Sequence, residues 1–168
     1  MNIKPFYIRN LLFLIIIATI FICQSNGFFP EIYGYSYNLL PVVVISIAML
    51  SSVYESVVFA FIISFLCDFN FSSVEGLSSI YFVTAAIIIS FVTEKYFTKS
   101  FVTNMLFTSV TLLIQKLFQF AFYYLLVDQN SFILFFKISC AEVLIATLLC
   151  PIVYAIIYFI SSKLKDGD

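Results

Sequence analysis

The chain has 168 residues, of which 63% are hydrophobic and 10% charged, and a net charge of −1. A water-soluble domain of this length cannot solvate that composition, and a near-neutral chain with no basic stripe offers a nucleic acid nothing to bind. Histidine is absent, which removes imidazole as general base and as metal ligand.

A helix that crosses a hydrocarbon core of about 30 Å needs about 20 residues. Six segments are read as such helices, forming one integral membrane domain over residues 1–168. The first covers residues 10–29. Lys4 and Arg9 precede it, as they would a secretion signal, but Ile20-Phe21-Ile22-Cys23 lacks the small residues of a cleavage site, so an uncleaved helix is expected. Glu31, Gly34 and three tyrosines follow, suited to a membrane interface. The second helix is expected over 37–54, with Pro41 in its first turn, where a missing amide proton costs little.

The third, over 55–67, is short, and merging it with the second into one tilted helix is the competing reading. Ser56, Ala60, Ser64 and Asp68 recur at every fourth residue, a ridge of small side chains ending in a carboxylate. Such a ridge lets another helix approach closely, either inside the bundle or as a docking face. Beyond it, Gly76 permits a tight turn. Asp68 is placed to accept hydrogen bonds from the loop amides or from the start of the fourth helix, over 77–92. Glu75 lies in the same loop.

The fifth helix is expected over 101–127 and the sixth over 132–161. Lys116 lies 11 residues before the end of the fifth, and Glu142 lies 10 residues into the sixth. At that shared depth an isolated charge costs about 2.5–3.5 kcal/mol, so the two are expected to pair, helped by Gln115 and Gln119. The pair either fixes helix register or serves a proton or substrate relay. Lys137 is expected to snorkel to the outer interface, toward Asp128. Ser139, Glu142, Ala146 and Cys150 form a second line, and Pro151 after it weakens or kinks the helix.

Six spans put Lys4, Arg9, Lys95, Lys99, Lys163 and Lys165 on one face, while the opposite loops at 24–38, 68–79 and 128–131 hold no Lys or Arg. By the positive-inside rule both termini are cytoplasmic, and merging the second and third helices would destroy that bias. Cys23, Cys67, Cys140 and Cys150 sit in or beside apolar runs without Cys-x-x-Cys spacing, so neither a disulfide framework nor a metal site is expected. With no phosphate-binding loop and no nucleophile beside a base, no catalytic residue and no cofactor is expected either.

Leu40-Pro41 opens an apolar run, the small-residue ridge leads to Leu66-Cys67-Asp68, and Ser72-Ser73-Val74-Glu75-Gly76-Leu77 enters the next helix. In this order the chain resembles the MreD family of bacterial rod-shape-determining membrane proteins, over about residues 39–91 and otherwise in length and topology. Ser139 to Tyr154, with Glu142 where the family more often has asparagine, is similar to its last helix. The resemblance implies an all-α, multi-pass protein of the bacterial cytoplasmic membrane, a non-enzymatic scaffold of the cell-elongation machinery. Its implied partners are the single-pass protein MreC, RodA and RodA's transpeptidase partner. It also implies a fold similar to that of the substrate-binding subunits of energy-coupling-factor vitamin transporters, which supplies the alternative function. Those subunits usually carry Ala-x-x-x-Ala on the first helix, where this chain has Ala18 alone between Leu11 and Ile22.

Overall fold

Where the surroundings offer no water, each backbone amide and carbonyl must be satisfied within its own segment, which favours helices. The computed structural model describes residues 3–28, 38–71, 76–127 and 132–165. They form six helices: α1 (Ile3–Ser25), α2 (Leu40–Leu50), α3 (Val53–Phe71), α4 (Leu77–Lys95), α5 (Phe101–Val127) and α6 (Phe132–Lys165), with no strand among the described residues. Four stretches, Phe6–Ser25, Ser78–Lys95, Phe101–Ala121 and Ser139–Lys163, are long and apolar enough to cross a membrane.

Helix boundaries depart from the sequence expectations at recognisable caps. α1 starts at Ile3 rather than 10 and stops at Ser25 rather than 29. Gly27 takes a left-handed φ of 66°. Its amide reaches Gln24 O at 3.2 Å and the Phe28 amide reaches Cys23 O at 2.9 Å, which closes the helix with a Schellman turn.

α2 has 11 residues, Leu40–Leu50, where 37–54 is expected. It begins late because Asn38 Oδ1 accepts the Leu40 amide at 3.0 Å. It ends early because Ser51 is extended, at φ −101° and ψ 174°. Ser52 then opens α3: its amide donates to Glu55 Oε2 at 3.3 Å, one half of a capping box. α3 therefore begins at Val53, before the expected 55, and runs on to Phe71, past the expected 67. α4 extends to Lys95, and α6 runs through Pro151 to Lys165 without a break.

Contacts at matched heights fix the helix directions. Arg9 meets Glu55 and Phe13 meets Phe59, so α1 and α3 run parallel. Asn38 beside Cys67 makes α2 and α3 antiparallel, as Asp68 beside Ser78 does for α3 and α4. Phe97 against Phe107 and Tyr81 against Phe118 do the same for α4 and α5. Phe101 against Tyr154 and Lys116 against Glu142 do it for α5 and α6. Arg9, Lys95, Lys99 and Lys163 accordingly share one end of the bundle with the α2–α3 turn, and Asp68 and Gly76 lie at the other.

Every residue of α2 is buried, because all five other helices pack against it. The outward surface is apolar as well: Leu11, Ile15, Ile80, Leu117, Leu148 and Ile152 are all exposed. In such a molecule hydrophobicity does not distinguish inside from outside; close packing of small residues and interhelical hydrogen bonds hold the helices together. α3 displays this by size. Ser56, Ala60, Ser64 and Cys67 face inward, while Tyr54, Val58, Phe61 and Phe65 face out.

Candidate functional site

The ridge of α3 is interior. Ser56, Ala60 and Ser64 are buried, and on α4 a matching row of Ser78, Phe82, Ala86 and Ser90 is buried too. The rows run antiparallel and are tied at both ends. At the basic end Ser90 Oγ donates to Ala48 O at 2.7 Å and lies 3.0 Å from Ser56 Oγ, joining α4 to α2 and α3. At the opposite end the Asp68 carboxylate accepts from the Gly76 amide at 3.1 Å, the Ser78 amide at 3.3 Å and the Ser79 hydroxyl at 3.0 Å.

Gly76 caps α4 with a left-handed φ of 84°, a conformation that glycine adopts at no steric cost. The first amides of a helix lack intrahelical acceptors, and the helix dipole favours an anion there. Asp68 thus caps α4 from the end of α3, while Pro41 sits buried in the first turn of α2. Glu75 and Asp128 lie outside the described residues, as does the Lys137 side chain.

Lys116 Nζ meets Glu142 Oε2, with the two side chains 25% and 20% exposed. Gln115 and Gln119 are among the α5 residues that line the space toward α4, and Gln115 Oε1 has no hydrogen-bond partner among the described residues, so it does not contact the pair.

Two further constellations escape the sequence reading. Arg9 on α1 pairs with Glu55 in the first turn of α3; the signal was the Ser52-x-x-Glu55 capping box beside a basic end. In the core, Asn104 is fully buried and its amide nitrogen donates to Ser46 Oγ at 3.0 Å and Cys150 Sγ at 3.1 Å. Thr108 Oγ1 lies 3.3 Å from the same sulfur. This polar knot joins α2, α5 and α6 at the heart of the bundle. Asparagine within an apolar run was its signal, because a lone amide there needs partners from other helices. Among the described residues no group of three or more metal-ligating side chains comes together.

One large cleft lies between α4 and α5, with a volume of about 640 Å³. Ile88, Val92, Phe107, Val110, Ile114 and Phe118 supply much of its wall. At its floor the Tyr81 hydroxyl crosses from α4 to the Thr111 carbonyl of α5. The Thr84 hydroxyl turns back to the Ile80 carbonyl at 2.7 Å. Gln115 is nine-tenths buried, and its Oε1 has no hydrogen-bond partner among the described residues.

Comparison of the chain with protein-family models, with curated proteins and with solved structures finds no match in any of the three.

Proposed function

We propose that this protein is a non-enzymatic membrane scaffold of the rod-shape-determining type, which binds an MreC-like single-pass protein and helps couple cell elongation to peptidoglycan synthesis by RodA and its transpeptidase partner. In this reading the chain makes six passes of the bacterial cytoplasmic membrane, the short α2 enclosed by the other five helices, with both termini in the cytoplasm. The clustering of Arg9, Lys95, Lys99 and Lys163 at one end of the bundle supports that orientation.

The observation that carries the reading is the α3–α4 connection. Some of the residues on which the resemblance to MreD rests build this joint: the small ridge of α3, Asp68 accepting three hydrogen bonds, and Gly76 in its left-handed turn. Their roles are structural, as a scaffold requires. A vitamin-binding subunit, the alternative, needs an enclosed chamber with converging polar groups. The middle of this bundle is occupied by the wholly buried α2, which favours the scaffold.

Purification of the full chain in mild detergent, co-expressed with the MreC-like single-pass protein of its own genome, tests the reading. Stoichiometric recovery of that protein is the expected result. Recovery of an ATPase module with a bound vitamin, and no single-pass protein, overturns it.

A further inference from the structure

The Lys116–Glu142 pair is not sealed inside the bundle. Of the Lys116 side chain 25% remains exposed, and of the Glu142 side chain 20%, where α5 and α6 meet. The outer surface on either side is carbon: Leu113 and Leu117 on α5 and Leu144 and Leu148 on α6 are all exposed. The pair lies 11 residues before the end of α5 and 10 residues after the start of α6, about 15 Å below that end of the bundle at 1.5 Å per residue.

An ammonium carries three donors and a carboxylate two oxygens. The contact from Nζ to Oε2 uses one of each, and among the described residues neither group has another partner. In hydrocarbon the remaining N–H groups and Oε1 are costly to leave unmade. Whatever covers them must reach this depth and carry polar groups. A lipid acyl chain carries none, and its headgroup stays at the interface. A partner helix with one acid or one base would satisfy one member of the pair and bring an excess charge to a depth where charge is expensive.

A second copy of this chain brings one acid and one base at the same depth. A two-fold axis along the bundle, the commonest symmetry of homo-oligomers, keeps every residue at its height and reverses every direction in the membrane plane. Because Lys116 and Glu142 are level, the copied pair lies antiparallel beside the first, with each ammonium against the other copy's carboxylate. The four groups then form a ring of alternating sign and no net charge.

We infer that the α5–α6 face docks on the same face of a second copy, through a ring of two Lys116 and two Glu142 side chains with the exposed leucines packed around it. This stands apart from the scaffold reading, since it uses only the ion pair and the surface beside it.

The test reconstitutes donor-labelled and acceptor-labelled copies of the full chain together in phosphatidylcholine vesicles and follows energy transfer as lipid is added. Transfer that saturates as a dimer and falls on dilution is expected. Lys116→Met combined with Glu142→Met removes the ring and strands no charge. Each interhelical polar contact strengthens association about threefold, so losing the two that cross the axis is expected to weaken the dimer about tenfold. Lys116→Glu combined with Glu142→Lys keeps both the pair and the ring, and is expected to dimerise like wild type. Wild type that stays monomeric at the highest protein density overturns the inference, and so does a dimer undiminished in the methionine variant or a folded exchange variant that stays monomeric.

A photo-crosslinking amino acid in place of Leu113 or Leu148, in membranes of cells expressing the full chain, locates the surface independently. Phe61, exposed on α3, is the control. Adducts between two copies from Leu113 and Leu148, and none from Phe61, are expected. Copies that crosslink from Phe61 alone, or adducts from Leu113 and Leu148 with lipid or another protein alone, overturn the assignment.

Discussion

Lys116 of α5 and Glu142 of α6 form an ion pair in the middle of two long apolar helices, with three quarters or more of each side chain shielded. Removing one partner strands the other charge among carbon. For fully buried pairs that costs about 3–5 kcal/mol; partial exposure lowers the expectation for Lys116→Met or Glu142→Met to about 2 kcal/mol. The double substitution, which strands nothing, is expected to recover most of the loss. Thermal unfolding in detergent measures all three, and a double variant as unstable as the sum of the singles would show that the two groups act independently.

Asp68 satisfies two backbone amides and one hydroxyl at the start of α4. Asp68→Ala leaves those donors without an acceptor, at an expected cost of about 1–2 kcal/mol. Asp68→Asn keeps one acceptor oxygen but loses the charge that the helix dipole favours, so an intermediate loss is expected. Accumulation in membranes and unfolding in detergent should rank wild type, Asn, then Ala; an Asn variant no better than Ala would place the effect in charge alone.

At Gly76 an added Cβ meets no atom within 4 Å, yet the backbone holds φ at +84°. Space is not the constraint and conformation is. Gly76→Ala is expected to lose about 1–2 kcal/mol from the left-handed backbone, without the void or clash signature of a core substitution. An unfolding temperature equal to wild type would show that the turn adopts another conformation.

Ala60 lies fully buried in the ridge against α4. Ala60→Leu forces extra methylenes between two closely packed helices, and a loss of about 1–3 kcal/mol is expected. Phe61→Leu, one position away on the exposed face, should be neutral. A neutral Ala60→Leu would contradict the close approach of α3 and α4.

Polar residues were the legible part of the chain. Lys116 and Glu142 stand out of apolar runs and must find partners where water is scarce, so their pairing followed from depth and chain direction, while Asp68 at the end of its ridge was within reach of the free amides that open α4. The burial of α2 was not legible, because Leu40–Leu50 is apolar all round and reads like any other membrane segment. Nor was the cleft: Ser78, Ser90, Asn104 and Thr108 mark the buried faces of α4 and α5, but nothing in their large apolar outer residues says that the two helices part along their length. On α3 the buried face is betrayed by size, with Ser56, Ala60 and Ser64 inside and Tyr54, Phe61 and Phe65 outside. The true break between α2 and α3 depended on Ser51 turning extended and on Ser52 and Glu55 forming a cap, local chemistry that hydropathy blurs by several residues.

We propose that this bundle supports cell elongation through its partners and performs no transport. The most direct test is depletion of the chain in its own bacterial cell, with cell shape followed by microscopy and vitamin uptake measured in parallel. Cells are expected to round up and swell while uptake is unchanged, with wild type restoring the shape and Asp68→Ala restoring it poorly. Unchanged cell shape with a loss of vitamin uptake would contradict it.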